Sequence, residues 1–194
     1  SRSSAGNLGG YLGTLMPTTS GKWYFEAKID EAGNGDRGRV GIANYDSITG
    51  TDTIQGSYSG LEISLKSAKL FVTVNGTTTE YTSSGDYSDG DIVQLAMDLD
   101  NKAIYVGRNG TYLTLTGSSG GDPTSGAAKT GAIVTDTTYI LNGSPMCTYF
   151  GSSVGSGSDK TDVDFNFGNG YFGTTAVSSA GTNASGNGIF EYDV

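Results

Sequence analysis

The side chains in this sequence whose types could do chemistry are carboxylates, one thiol and a set of aromatic rings. Histidine is absent, so the usual general base near neutral pH is missing and a thiolate at Cys147 would have no partner to take its proton. Cys147 reads instead as a small apolar residue beside Met146, and as the single cysteine it excludes an internal disulfide. Glu26, Glu62 and Glu80 are the candidates for a glycosidase-type carboxylate pair, in which separation in space sets the outcome. Each falls at a strand position expected to face water. With no nucleophile motif and no glycine-rich loop opening a helix, an enzyme is not expected.

Two acidic groups have the composition of a calcium site: Asp98 and Asp100 with Asn101, and Asp159, Asp162 and Asp164. Neither matches the twelve-residue EF-hand loop with its glycine and terminal glutamate. Turn chemistry accounts for the first and a wet strand face for the second, so neither a metal nor any other cofactor is expected. The binding candidates are Tyr45, Tyr58 and Tyr87, in or beside loops expected to be exposed, and Arg108 and Tyr112, which flank a hairpin. Tyrosine and arginine are favoured at protein interfaces, and tyrosine rings also stack on sugars. Each loop tyrosine reads equally well as plain surface. Tyr24 and Tyr105 read as cover for a sheet face.

The elements that must hold these residues are clearest over residues 90–113. Val93, Leu95, Met97 and Leu99 alternate with Gln94, Ala96 and Asp98, the period of a strand with one buried and one wetter face. Asp100-Asn101-Lys102 reverses the chain, and Ile104 and Val106 return along the same core. Asn109-Gly110 supplies the two positive φ values of a type I′ turn and leads to Tyr112 and Leu113. Upstream, Trp23, Phe25, Ala27 and Ile29 share one face, which makes Trp23 a core residue, while Tyr24, Glu26 and Lys28 take the other. After a turn at residues 33–36 comes the strand Arg39 to Ala43, where Gly41 signals a bulge or a close backbone approach. Two further strands centre on Leu61, Ile63 and Leu65 and on Leu70, Val72 and Val74, with Asn75-Gly76 turning towards Tyr81. Residues 45–58, 82–89 and 116–130 read as loops, and Val163, Phe165 and Phe167 as a late strand. No helical period is sustained, and many short strands with turn signals predict an all-β antiparallel sandwich.

Three blocks of this sequence resemble the SPRY (B30.2-like) family. They are Gly90 through Tyr112, with its Leu-Asp-Asn and Asn-Gly turns; Gly21-Lys22-Trp23-Tyr24-Phe25-Glu26 with Val40-Gly41-Ile42-Ala43; and Val163-Asp164-Phe165-Asn166-Phe167-Gly168. They occur in the family's order and span most of the chain. The loops, rich in Gly, Ser and Thr, are similar to those of SPRY-like domains in phage and bacterial surface proteins. The resemblance implies a β-sandwich of concanavalin A-like jelly-roll type that serves as an interaction module, with partner contacts in variable loops.

Composition agrees with one domain, 20–194, preceded by an extension or first strand at 1–19, where Leu8, Tyr11, Leu12, Leu15 and Met16 are the apolar set. Its ends read as those of a piece of a longer or processed polypeptide. The net charge of −9, without a Lys/Arg cluster, argues against nucleic acid, and no apolar run suits membrane insertion. Charged residues are 16% of the chain, a weakly charged surface common outside cells and on virus particles. The expectation is a non-catalytic interaction or structural module of a bacteriophage virion, such as a capsid decoration, head fibre or tail protein, with other virion or surface proteins as partners. The alternative is a carbohydrate-binding sandwich of a tail or extracellular adhesin, with cell-surface glycans as ligands. Loops 45–58 and 82–89 and the turn at 108–112 are expected to gather at one end of the sandwich.

Overall fold

The computed structural model describes residues 8–16, 20–33, 38–48, 58–153, 161–168, 170, 172 and 189–192. The centre of the 33–36 turn and Asp159 lie outside them, as do residues 49–57 of the 45–58 connection. The strands are β1 (Leu8–Met16), β2 (Lys22–Glu31), β3 (Gly38–Asn44), β4 (Gly60–Ser64), β5 (Lys69–Val74), β6 (Thr77–Thr82), β7 (Ile92–Asp98), β8 (Ala103–Arg108), β9 (Thr111–Tyr112), β10 (Met146–Ser153) and β11 (Asp162–Asn166). Two short 3-10 turns, at Tyr45–Ser47 and Gly126–Ala128, complete the regular structure of the described residues. All strand pairings are antiparallel. One sheet runs β1-β10-β3-β4-β5-β6 and the other β11-β2-β7-β8-β9.

The hairpins form where turn residues permit them. Asn75 and Gly76 have φ of 48° and 76°, and Asn109 and Gly110 have 49° and 82°, the paired positive values of type I′ turns. Lys102, at φ 56°, completes the reversal after β7. The expected core face is present: Phe25, Ala27 and Ile29 on β2, Val93, Leu95 and Met97 on β7, and Ile104 and Val106 on β8 are buried together. Facing them are Val40, Ile42, Leu61, Ile63 and Leu70 of the other sheet. Each such side chain contributes about 1.5–3 kcal/mol of transfer free energy. Gly41 is a close approach, since a Cβ there would lie 2.0 Å from the Leu61 carbonyl oxygen of the neighbouring strand.

The outer faces differ from expectation. β3, β4 and β7 are buried on both sides, so alternation marks inner against outer and not dry against wet. Gln94 is fully buried and Asp98 nearly so. Over the five-stranded sheet, residues 189–192 cross β2 as a strap. Phe190 packs edge-on against Tyr24 with ring centroids 4.7 Å apart, and Glu26 accepts the backbone N–H groups of Glu191 and Tyr192 at 2.9 and 2.8 Å. Glu26 is therefore buried and not solvated, because the chain returns to cover it. Glu62 is also buried, in an ion pair with Arg39 at 2.6 Å whose guanidinium stacks on Phe71 at 4.2 Å. Glu80 alone of the three is exposed, paired with Lys69 at 2.6 Å.

Trp23 corrects the other way. It sits on the inner face but at the first turn-out of β2, where it is 36% exposed and its Nε1 donates to the Ser20 carbonyl at 3.2 Å. Phe167, one residue past β11, is likewise exposed at its edge while stacking on Phe165 at 5.9 Å. Strand ends outrun the facing sheet, which is why correct phase does not guarantee burial.

Candidate functional site

Asn44, the last residue of β3, organises one end of the sandwich. Its buried side-chain N–H₂ donates to the carbonyls of Tyr139 at 3.0 Å and Ile140 at 3.2 Å and to Asn142 Oδ1 at 2.8 Å. Its Oδ1 accepts the N–H of Asp46 at 3.1 Å, capping the 3-10 turn. Ser47 Oγ donates to the Asn44 carbonyl and accepts the Ser59 N–H, both at 2.7 Å. The Tyr45 N–H reaches the Pro145 carbonyl at 2.7 Å. One buried amide thus fixes two loops side by side.

Each loop displays a tyrosine to solvent: Tyr45 at 47% and Tyr139 at 41% exposure. Asp136 holds the second loop, its Oδ1 accepting from the N–H groups of Tyr139 and Ile140 at 2.7 and 2.9 Å. Rings on loops fixed by main-chain bonds lose little freedom on binding, and their apolar faces with polar tips suit protein or sugar contact. Asp46 and Asn142, exposed in the same two loops, add polar side chains at this end.

Of the residues singled out from sequence, Tyr45 alone is an exposed loop side chain. Tyr58 is buried at 2% exposure, its ring 6.3 Å from that of Tyr149, and burial with the nearby Glu62 carboxylate pushes its phenol well up. Tyr87 is buried completely beneath the Arg108 guanidinium at 4.6 Å, and burial lifts its phenol to about 12. Arg108 is held by Asp91 at 2.6 Å and the Asp86 carbonyl at 2.9 Å. Tyr112 is half-buried against Ala96, Ala103 and Tyr105.

Nor do the described parts of the three loops converge. Tyr45 leaves the C-terminal end of β3. At the opposite end of that strand, the Leu65 N–H bonds the Gly38 carbonyl at 2.9 Å, and the Tyr87 N–H bonds the Leu65 carbonyl at 2.7 Å. Loop 82–89 and the Arg108 turn therefore gather at the far end from Tyr45. In sequence Tyr139 adjoins Ile140-Leu141, an apolar pair that does not announce a loop; the signal for one is Asp136 three residues before it, a side chain that bonds nearby main chain.

The remaining chemistry is engaged in structure. Glu26 and Glu62 lie on the outer faces of different sheets, so they do not face one another across a cleft. Asp98 accepts from the Asn101 N–H at 3.0 Å and its amide at 2.8 Å, and Asp100 accepts from the Gly21 N–H at 2.9 Å. Among the described residues no three His, Cys, Asp or Glu side chains are placed to hold a metal. Cys147 packs with Ala43, Tyr58 and Tyr149, and burial raises its thiol to about 11.

The sheet orders and the doubly covered strands can be compared with solved structures. The fold is that of SPRY domains. The SPRY domain of human HERC1 matches with a TM-score of 0.53 at 14% identity, over 83% of each chain. A second human SPRY domain matches with a TM-score of 0.55 at 16% identity, over 84% of this chain and 86% of that one. A carbohydrate-binding module from Bacillus subtilis aligns over 84% of this chain and 94% of that one at 11% identity, with a TM-score of 0.39 that gives it no weight. No family model matches the sequence, and no curated protein is similar to it. At these identities the likeness to SPRY domains is one of fold, and site residues do not transfer.

Proposed function

We propose that this SPRY-fold chain is a non-catalytic recognition module that contacts its partner through the Asn44 end, with Tyr45 and Tyr139 as anchors. The observation that carries this reading is the pair of exposed tyrosines on loops fixed by one buried amide. Rigid aromatic anchors are the side chains on which binding energy concentrates. The absence of histidine and the structural engagement of Glu26 and Glu62 support the non-catalytic part.

The setting proposed is a virion, as a capsid decoration, head fibre or tail component with protein partners, in keeping with a surface rich in Gly, Ser and Thr and poor in charge. The second reading is a glycan ligand, favoured by the same tyrosines standing beside Asp46 and Asn142, groups that bond sugar hydroxyls. A pull-down from purified particles and a glycan array, each run with the Tyr45→Ala/Tyr139→Ala double variant, separate the two. Binding that survives the double variant in both formats rejects the Asn44 end as the site.

A further inference from the structure

β6 is an edge of the six-stranded sheet, and all its residues but Tyr81 are exposed. Its bonding direction is fixed by the turn that precedes it. The type I′ turn at Asn75-Gly76 makes Val74 and Thr77 a hydrogen-bonded pair, and antiparallel alternation extends this to Thr79 and Tyr81 opposite Val72 and Leu70. Ser83 continues the series, its N–H donating to the Ala68 carbonyl at 2.7 Å. Thr78, Glu80 and Thr82 therefore direct their N–H and C=O groups away from the sheet. Gly117 lies against the carbonyls of Thr82 and Ser83, which among the described residues leaves Thr78 and Glu80 as the open stretch.

The other described edges are guarded. β11 carries Asp162 and Asp164, β9 is two residues long, and β1, the opposite edge of the same sheet as β6, breaks its register between Leu12 and Leu15. β6 has no proline, and its single charge, Glu80, is neutralised by Lys69 of its own sheet. We propose that β6 pairs with β6 of a second copy, antiparallel across a two-fold axis at Thr79, so that Thr78 of each copy faces Glu80 of the other.

Charge selects this occupant. Copies of a chain with net charge −9 repel over most apposed faces, but here each carries a neutral, threonine-rich seam. In the stated register each Thr78–Glu80 pair exchanges two main-chain hydrogen bonds, whereas sliding the strands to oppose Glu80 with Glu80 places like charges face to face. A single strand pair buries less than the roughly 1,200 Å² of a stable complex, so the contact is weak and reversible. It gains strength where copies stand side by side. It does not depend on the Asn44 end.

Sedimentation of the chain from about 10 μM to about 1 mM, with amide hydrogen exchange at both extremes, tests this. The expected result is a concentration-dependent dimer in which the Thr78 and Glu80 amides become protected, the Thr79 amide being protected throughout. Thr78→Pro removes an outward N–H without touching the ladder to β5 and should lower the association constant about 10- to 100-fold. A monomer at all concentrations overturns the proposal, as does a dimer in which Thr78 and Glu80 still exchange freely. Protection of those amides only on adding an unrelated strand peptide would assign the edge to another partner and overturn self-pairing. If Thr78→Pro does not fold, the exchange pattern of the unaltered chain decides alone.

Discussion

Oε1 of Glu26 accepts the backbone N–H of Tyr192 at 2.8 Å, joining residues 166 apart in sequence. Oε2 takes the neighbouring N–H of Glu191, so one carboxylate fastens the strap to the sheet. The Tyr24 hydroxyl and the Asn166 amide donate its other bonds, at 2.9 and 3.3 Å.

Burial pushes the Glu26 carboxyl above its usual range, outweighing the N–H groups that favour its charge. A native pKa above the unfolded one means that the folded state holds the proton more tightly. The resulting stabilisation is complete below the unfolded value of about 4.3 and is lost as pH rises through the native value. Thermal melts from pH 4 to 7 should show the wild type losing ground to Glu26→Gln as pH rises. A constant difference between the two would refute the assignment.

Arg108 is a clamp and not a free recognition side chain. Asp91 is pushed up by burial but held below its usual range on balance by the Ser88 N–H, Asn109 and Arg108, so its contribution to stability is lost as pH falls through that lowered value. Arg108→Ala should destabilise by about 1–3 kcal/mol, and Tyr87→Ala by about 3–5 kcal/mol. Denaturant titration reads both; unchanged midpoints would return these residues to the surface.

Gln94 donates to the Tyr24 hydroxyl at 3.0 Å and accepts the Gly110 N–H from within a fully buried site. Gln94→Asp should therefore be severe, costing several kcal/mol, as should Leu95→Asp on the core face of the same strand. A mild effect of Gln94→Asp beside a severe effect of Leu95→Asp would show the outer face to be wet after all.

Chelation should leave the melting temperature unchanged, since Asp98 and Asp100 already spend their oxygens on main-chain and amide donors. A rise of several degrees on adding calcium, reversed by EDTA, is the contrary result.

The hairpins and the inner face were legible because their causes are local. Asn-Gly dictates its turn wherever it stands, and Phe25, Ala27 and Ile29 keep the period of a strand. What covers an outer face is not local. Period two places Glu26 and Gln94 opposite the core, but the cover that makes Glu26 dry comes from the return of residues 189–192, far along the chain. Asn44 hid for the same reason: between Ala43 and Tyr45 it looks like an ordinary turn residue, while its acceptors lie 95 to 98 residues on.

The pairing of β1 with β10 and of β2 with β7 and β11 sets the order in which this chain can mature during synthesis. An emerging β2 has no neighbour until Met97 and its strand leave the ribosome, and its other edge waits for Phe165. β1 waits for Met146. Early strands with late partners fold slowly and spend longest with open edges, so nascent-chain handling, more than final stability, should limit the yield of this protein.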